Sequence, residues 1–191
     1  MGAEAVKEPG PMVAMEIQIR QMDSQSLYQV DQFNRTSMVN SKLVLRFEDG
    51  RLTYSIVPVQ PYVKELSIDA EDYTTFIANP QKVIFFADMD GKPAGQIKVV
   101  PWWNKFSYLE ELTVDTEFRG AGVGRALLTH AIEWAKRQQF PGITLETQDN
   151  NVPACMLYEK CGFVLSGFDL YAYRNFPEAR DEIALYWYLI F

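Results

Sequence analysis

The sequence is poor in metal ligands and in the long apolar runs that cross membranes. Cysteine occurs twice, at Cys155 and Cys161, without CxxC spacing, and histidine once, at His130. No zinc or other metal site is expected from that set, and two unpaired thiols fit a reducing compartment. No stretch approaches the roughly twenty consecutive apolar residues of a membrane span. The opening MGAEAVKEPGPM has no apolar core of signal-peptide type, and Val6 stands where a myristoylation motif wants Ser or Thr. A cytoplasmic protein is expected. Positive charge is also scarce, with 18 Lys and Arg against 25 Asp and Glu and a formal net charge of −7. That balance argues against nucleic acid and anionic membrane surfaces as partners, and suits a small cationic substrate or a basic peptide.

What is present is an ordinary globular composition, 48% apolar and 23% charged over 191 residues, enough for one well-buried domain. Residues 1–14 read as a flexible tail and 15–191 as a single domain. Glu16 to Arg20 alternates as a strand, and 22–40 reads as a short helix and loop. Lys42 to Glu48 and Arg51 to Val59 flank Asp49-Gly50 as a β-hairpin, which Pro58 and Pro61 should end. Glu71 to Ala78 looks helical. Val83 to Ala87 and Gly95 to Val100 are strands around a turn from Asp88 to Pro93. Ile143 to Glu146 is a further strand, parallel by strand–helix–strand logic. A helix capped by Asn150 or Asn151 runs to about Lys160, with Gly162 just past its end. Phe163 to Ser166 and Ile183 to Phe191 supply the last strands, and the apolar run Ala184 to Phe191 could equally cross to a second copy in a homodimer. The sum is a mixed α/β sheet.

The organising stretch is Leu109 to Arg137. It begins as a strand, turns through Arg119-Gly120-Ala121-Gly122-Val123-Gly124, and becomes a helix on which Val123, Leu127, Leu128, Ala131, Trp134 and Ala135 recur at helical spacing. A strand, a glycine-rich turn and a helix start make an anion site, because the first helical N–H groups lack partners and face the dipole's positive end. Glycine lets a phosphate approach the backbone, with Arg119 and Arg125 as clamps. Arg125-Ala126 after Gly124 rules out the Walker loop. The spacing also fails the G-x-G-x-x-G dinucleotide pattern, although Glu146 lies near the distance that pattern wants for its acid.

Arg119, Gly122 and Gly124, directly after Leu-Thr-Val-Asp, resemble the Arg/Gln-x-x-Gly-x-Gly/Ala signature of the GNAT family of N-acetyltransferases. Leu145 to Asn151, Ala154, Tyr158 and Cys161-Gly162-Phe163 extend the resemblance. Trp103-Asn104, Glu110-Glu111, Glu133 to Lys136, and the closing Ala-Leu-Tyr-Trp-Tyr-Leu-x-Phe are similar to the streptothricin (nourseothricin) acetyltransferases. The resemblance is dense from about Pro61 onward. It implies a GNAT fold, a mixed central sheet flanked by helices and splayed between its central parallel strands. It also implies acetyl-CoA as cofactor and the β-lysine moiety of streptothricin as acceptor, whose acetylation inactivates the antibiotic. On this resemblance the amides of Arg119, Gly120, Ala121, Gly122, Val123, Gly124 and Arg125 hold the pyrophosphate of coenzyme A. The main chain of Leu112, Thr113 and Val114 pairs with the pantetheine, and Asn151, with Ala154 and Tyr158, holds the arm from the other side. Some members carry a long acidic run after Pro-Tyr-x-Lys; here Pro61-Tyr62-Val63-Lys64 is followed only by scattered Glu65, Asp69, Glu71 and Asp72, so grip on the drug is expected to differ.

The chemistry sets its own demands. A lysine-type amine with pKa near 10.4 is free base in only about one molecule in 10³ at pH 7, so presenting it neutral costs about 4–5 kcal/mol, which a base must offset. Glu110 and Glu111 are consecutive on the central strand and should project to opposite faces, Glu110 with Leu112 and Val114, and Glu111 with Thr113. Glu110, acting through water, is the expected base and Glu111 the alternative; a third reading leaves both with structural or recognition roles. Tyr158 is the expected acid for the leaving thiolate, against a role in packing its helix on the sheet. Trp103, Asn104, Glu146, Asp169 and Tyr171 are candidates to line the amine pocket, where aromatics and carboxylates suit cations. Cys155, Cys161 and His130 have no obvious partner for covalent or base catalysis. Two alternatives remain: another acceptor amine (polyamine, aminoglycoside-like or protein), or a module that binds acyl-CoA without turnover.

Overall fold

The computed structural model describes residues 16–65 and 71–191. The expected tail over 1–14, and Asp69, lie outside the described residues. In chain order the strands and helices are β1 (Ile17–Gln21), β2 (Thr36–Glu48), β3 (Arg51–Glu65), β4 (Val83–Met89), β5 (Lys92–Pro101), β6 (Ser107–Val114), α1 (Val123–Arg137), β7 (Gly142–Gln148), α2 (Val152–Lys160), β8 (Val164–Asp169) and β9 (Ala184–Ile190). Seven strands form one sheet in the order β1-β4-β5-β6-β7-β9-β8, and β2-β3 form a separate ribbon. Every pairing in the sheet is antiparallel except β6 with β7.

The core follows from the apolar pattern. β4 (VIFFADM) is buried on both faces. Val83, Phe85 and Ala87 face the layer of α1, while Ile84 and Phe86 meet Met22, Val30, Phe33 and Phe76 on the other side. Leu127, Leu128, Ala131 and Ala135 of α1 are fully enclosed. α2 joins the same layer: a Cβ on Gly124 would lie 3.3 Å from Leu157 Cδ2 and 3.4 Å from Val114 Cγ2. The glycine therefore lets the start of α1 settle on β6 and α2. Among the described residues no helix is long and apolar enough to cross a membrane.

Several sequence expectations need correction. Pro58 and Pro61 do not end the hairpin; β3 continues to Glu65, and β2 begins at Thr36, inside the segment expected as helix and loop. Both prolines lie on β3, which pairs with β2 alone, and Pro58 pairs with Ser41 where the register shifts after Val39, so neither missing N–H interrupts a ladder. Between Met22 and Thr36 the only helical turn is a 3₁₀ turn at Leu27–Gln29. Glu71 to Ala78 likewise reduces to the 3₁₀ turn Tyr73–Phe76, capped by Asp72. The turn expected from Asp88 to Pro93 is only Asp90-Gly91, both at positive φ, because β4 and β5 pair out to Met89 and Lys92. β9 lies between β7 and β8 with both edges paired in its own chain.

Candidate active site

β6 and β7 touch over three residue pairs only, Ser107–Ile143, Tyr108–Thr144 and Leu109–Leu145. Beyond them β6 follows β5 to Val114 while β7 follows β9 to Gln148. The parallel pair thus opens into a V from Glu110 and Glu146 onward, with backbone groups along its inner edges available to a ligand. At the apex β6 carries a bulge: Lys98 pairs with Glu111 but Val99 with Leu109, leaving Glu110 as the extra residue. The bulge overturns the expected parity. Leu109, Leu112 and Val114 all pack on the helical layer. Glu111 accepts from Gln96 (2.9 Å) and Glu110 pairs with Lys98 (3.2 Å); Gln96 and Lys98 are two apart on β5 and share a face. Both carboxylates therefore reach the face away from the helices. Two apolar residues separated by two polar ones, Leu109 and Leu112, were the visible signal of a bulge.

Glu110 and Glu111 differ in company. Glu111 Oε1 accepts from Arg35 Nη2 (2.8 Å), Gln96 Nε2 (2.9 Å) and Thr113 Oγ1 (2.7 Å), and its other oxygen is enclosed without a partner among the described residues. Glu110 is 39% exposed, and among the described residues its one ion pair is with Lys98, which also binds Glu71 at 2.8 Å. Glu111 is a fixed charge, and Glu110 is the one open to the V.

At the wide end of the V the turn before α1 supplies amides. Gly120 and Gly122 have φ of 81° and 91°, which residues with a Cβ rarely adopt. Among the described residues the N–H groups of Gly122, Val123, Gly124 and Arg125 have no backbone partner, and the helix has no side-chain cap and no acid in its first turn. Added Cβ atoms would meet nothing within 4 Å at Gly120 and only Ile17 Cδ1, at 4.0 Å, at Gly122. An open, uncapped helix mouth of this kind fits a diphosphate. Ala121 N–H is already spent on Phe118 O, and Arg119 Nε on Val114 O at 3.2 Å, so these two contribute less than expected. Asn151 occupies the N-cap of α2 without a side-chain cap bond, leaving its amide free among the described residues. Asn150 does not cap: its amide binds Tyr62 and Glu182, at 2.9 Å each.

Opposite the helices the V is walled by acids and phenols. Glu146 is largely buried, which raises its carboxyl above the usual range against the hydrogen bond from the Tyr173 hydroxyl. Burial, and then the charges of Glu146 and Glu110, push the Tyr108 phenol up. Tyr108 stacks on Trp102 with ring centroids 4.2 Å apart. Of the expected pocket residues, Glu146 is therefore at the apex. Trp103 is 83% exposed on the turn, and its neighbour Trp102 is the one against the site. Asn104 ties that turn, accepting from Phe106 N–H at 3.3 Å. Asp169 accepts from Tyr171 N–H at 2.7 Å, and Tyr171 is exposed, so this pair stands at the rim. Sequence reading missed Tyr108, Trp102, Tyr173, Lys98 and Arg35.

Tyr158 projects from α2 with its ring buried among Phe163 and Trp187. Its hydroxyl has no hydrogen-bond partner among the described residues, and Ala154 packs one turn earlier on the same core. Burial first, then Cys155, Glu146 and Tyr108, raise its pKa, which keeps the phenol protonated. Cys155 is buried with its thiol pushed up to about 12, and burial also raises Cys161; neither is a thiolate nucleophile. His130 packs edge-on against Phe85 at 4.6 Å, and burial lowers its pKa.

A splayed parallel pair with an amide-lined mouth at one end and carboxylates with phenols at the other defines a cleft for transfer from a diphosphate-bearing carrier to an amine. The sequence model of the Acetyltransferase (GNAT) family matches residues 49–163, and the chain belongs to that family. It is an N-acetyltransferase that depends on acetyl-CoA. The chain is 37% identical over 159 residues to streptothricin acetyltransferase A of Bacillus subtilis (strain 168), covering 83% of this chain and 91% of that one. It is 39% identical over 144 residues to a streptothricin acetyltransferase of Escherichia coli, covering 75% and 79%. Among solved structures, a Bacillus anthracis (strain Ames) protein in complex with acetyl coenzyme A superposes with a TM-score of 0.83 at 38% identity, covering 93% and 99%. The crystal structure of nourseothricin acetyltransferase superposes with a TM-score of 0.75 at 27% identity, covering 91% and 98%.

Proposed function

We propose that the protein acetylates the β-lysine amine of streptothricin, in the cytoplasm, and so confers resistance to the drug. The observation that carries the reading is the placement of Glu110, Glu146 and a phenol wall at the closed end of the cofactor's V, where a cationic amine must arrive. The particular drug rests on the names of the two relatives that align over most of both chains.

Bound acetyl-CoA supplies the acetyl group as an activated thioester. The chain's own residues do the rest. The amides of Gly122, Val123, Gly124 and Arg125 hold the diphosphate, with Arg119 beside them, and the inner edge of β6 at Leu112, Thr113 and Val114 aligns the arm. Asn151 closes on it from α2. Glu146 and Glu110 draw in the ammonium, and the rings of Tyr108, Tyr173 and Trp102 exclude water from it. Glu110 takes the amine's proton through water, while Glu111, held by three donors, stays a spectator charge. Tyr158, kept protonated by its burial, gives its proton to the departing sulfur.

Steady-state thiol release with acetyl-CoA and a panel of amines tests this. Streptothricin should exceed spermidine, an aminoglycoside and a lysyl peptide in kcat/KM by at least about 100-fold. Comparable values for any of them would sink the assignment of substrate.

Glu146 carries a second expectation. Its carboxyl pKa is raised in the fold, so its contribution to stability is present below the unfolded-state pKa and is lost as pH climbs through the folded-state value. Glu146→Gln should therefore raise the melting temperature by about 1–3 °C at pH 7 and not at pH 4, while raising KM for the amine about tenfold. Thermal scans at both pH values check the first half, and a lower melting temperature at pH 7 would contradict it.

A further inference from the structure

The bulge places two adjacent carboxylates on one face of β6, and the structure assigns to Arg35 the task of holding them apart. Arg35 is a positioning residue for acetyl transfer, acting through Glu111 on Glu110; this rests on the reading of Glu110 as base. Its Nη2 donates to Glu111 Oε1 at 2.8 Å and to Asp31 Oδ1 at 2.5 Å. Gln96 Nε2 bridges the same two residues, at 2.9 and 3.2 Å, and the Tyr73 hydroxyl donates to Asp31. Arg35 is the only cation within salt-bridge distance of either acid among the described residues. Both its side chain and that of Glu111 are almost wholly buried, 13% and 11% exposed.

Without Arg35 a buried carboxylate would lose its counter-ion, which is strongly unfavourable. Glu111 would then turn outward toward Lys98, which pairs with Glu110, or β6 would slip by one residue. A slip moves every following side chain to the other face, turning Leu112 and Val114 out of the core and Glu110 away from the V. By neutralising Glu111 in place, Arg35 leaves Lys98 to Glu71 and Glu110. The guanidinium comes from the loop before β2, 76 positions from Glu111, so the assembled sheet places it rather than any local motif.

The experiment measures kcat per coenzyme A site, with sites counted by calorimetry so that unfolded protein does not weigh on the rate. Arg35→Met should lower kcat about 30–100-fold with coenzyme A affinity unchanged, and Arg35→Lys by only about 3–10-fold. Glu111→Gln removes the charge that Arg35 balances, so the double variant Arg35→Met/Glu111→Gln should turn over within about fivefold of Glu111→Gln alone. That rescue is the decisive arm if Arg35→Met does not fold. Arg35→Met retaining kcat within twofold, or losses that simply multiply in the double variant, would overturn the role of Arg35. Glu110→Gln, measured alongside, tests the base itself: wild-type kcat there would remove the underlying reading whatever Arg35 does.

Discussion

Gly122→Val should weaken coenzyme A binding by at least about 100-fold while leaving the protein folded. The residue sits at φ 91°, a conformation that a β-branched side chain pays about 1–3 kcal/mol or more to enter. The turn would relax instead, and the N–H groups of Gly122 to Arg125 would no longer converge. The fold has little reason to object, because the new Cβ would find only Ile17 Cδ1 at 4.0 Å and the residue lies outside the buried core. Isothermal calorimetry with coenzyme A and a thermal melt on the same sample measure both halves. Loss of affinity with a near-native melt is the expected pair. Gly124→Ala makes the contrast: there the Cβ meets Leu157 and Val114, so the melt should fall as well.

Glu110→Gln should lower kcat about 10²–10³-fold with little change in coenzyme A affinity, because the amide keeps the shape and removes the proton acceptor. Tyr158→Phe should cost about 10–100-fold. The Tyr158 hydroxyl has no hydrogen-bond partner to lose among the described residues, so its melting temperature should stay within about 1–2 °C of wild type. Stopped-flow thiol release with pre-bound acetyl-CoA reads the chemical step directly. A Tyr158→Phe enzyme with unchanged kcat would reduce that residue to packing between Phe163 and Trp187.

The strand, turn and helix from Leu109 to Arg137 could be read from residues alone because their determinants are local: alternation, glycines at positive φ, and a 3.6-residue apolar stripe. The same locality explains the mistakes. Regular alternation runs straight through Glu110, yet Leu109 and Leu112 cannot both face the core on a regular strand, and the bulge at Glu110 resolves the conflict. Pro58 and Pro61 read as ends because a proline inside a central strand breaks a ladder, whereas β3 pairs with β2 alone and has no second strand to lose. The rest of the site is non-local. Arg35 meets Glu111, Tyr173 meets Glu146 across 27 positions, and Lys64 meets Glu182 across 118. No spacing rule reports such contacts, since each follows from how the sheet brings distant loops onto one face.

Direct transfer is tested most directly by a single-turnover reaction of acetyl-CoA-loaded enzyme with streptothricin, quenched and read by mass spectrometry of both drug and protein. The expected result is one acetyl group on the β-lysine moiety and an unmodified protein at every time point, because the V aligns donor and amine for direct transfer. An acetyl group on Cys155 or Cys161 before it reaches the drug, or a drug acetylated elsewhere than on β-lysine, would contradict it.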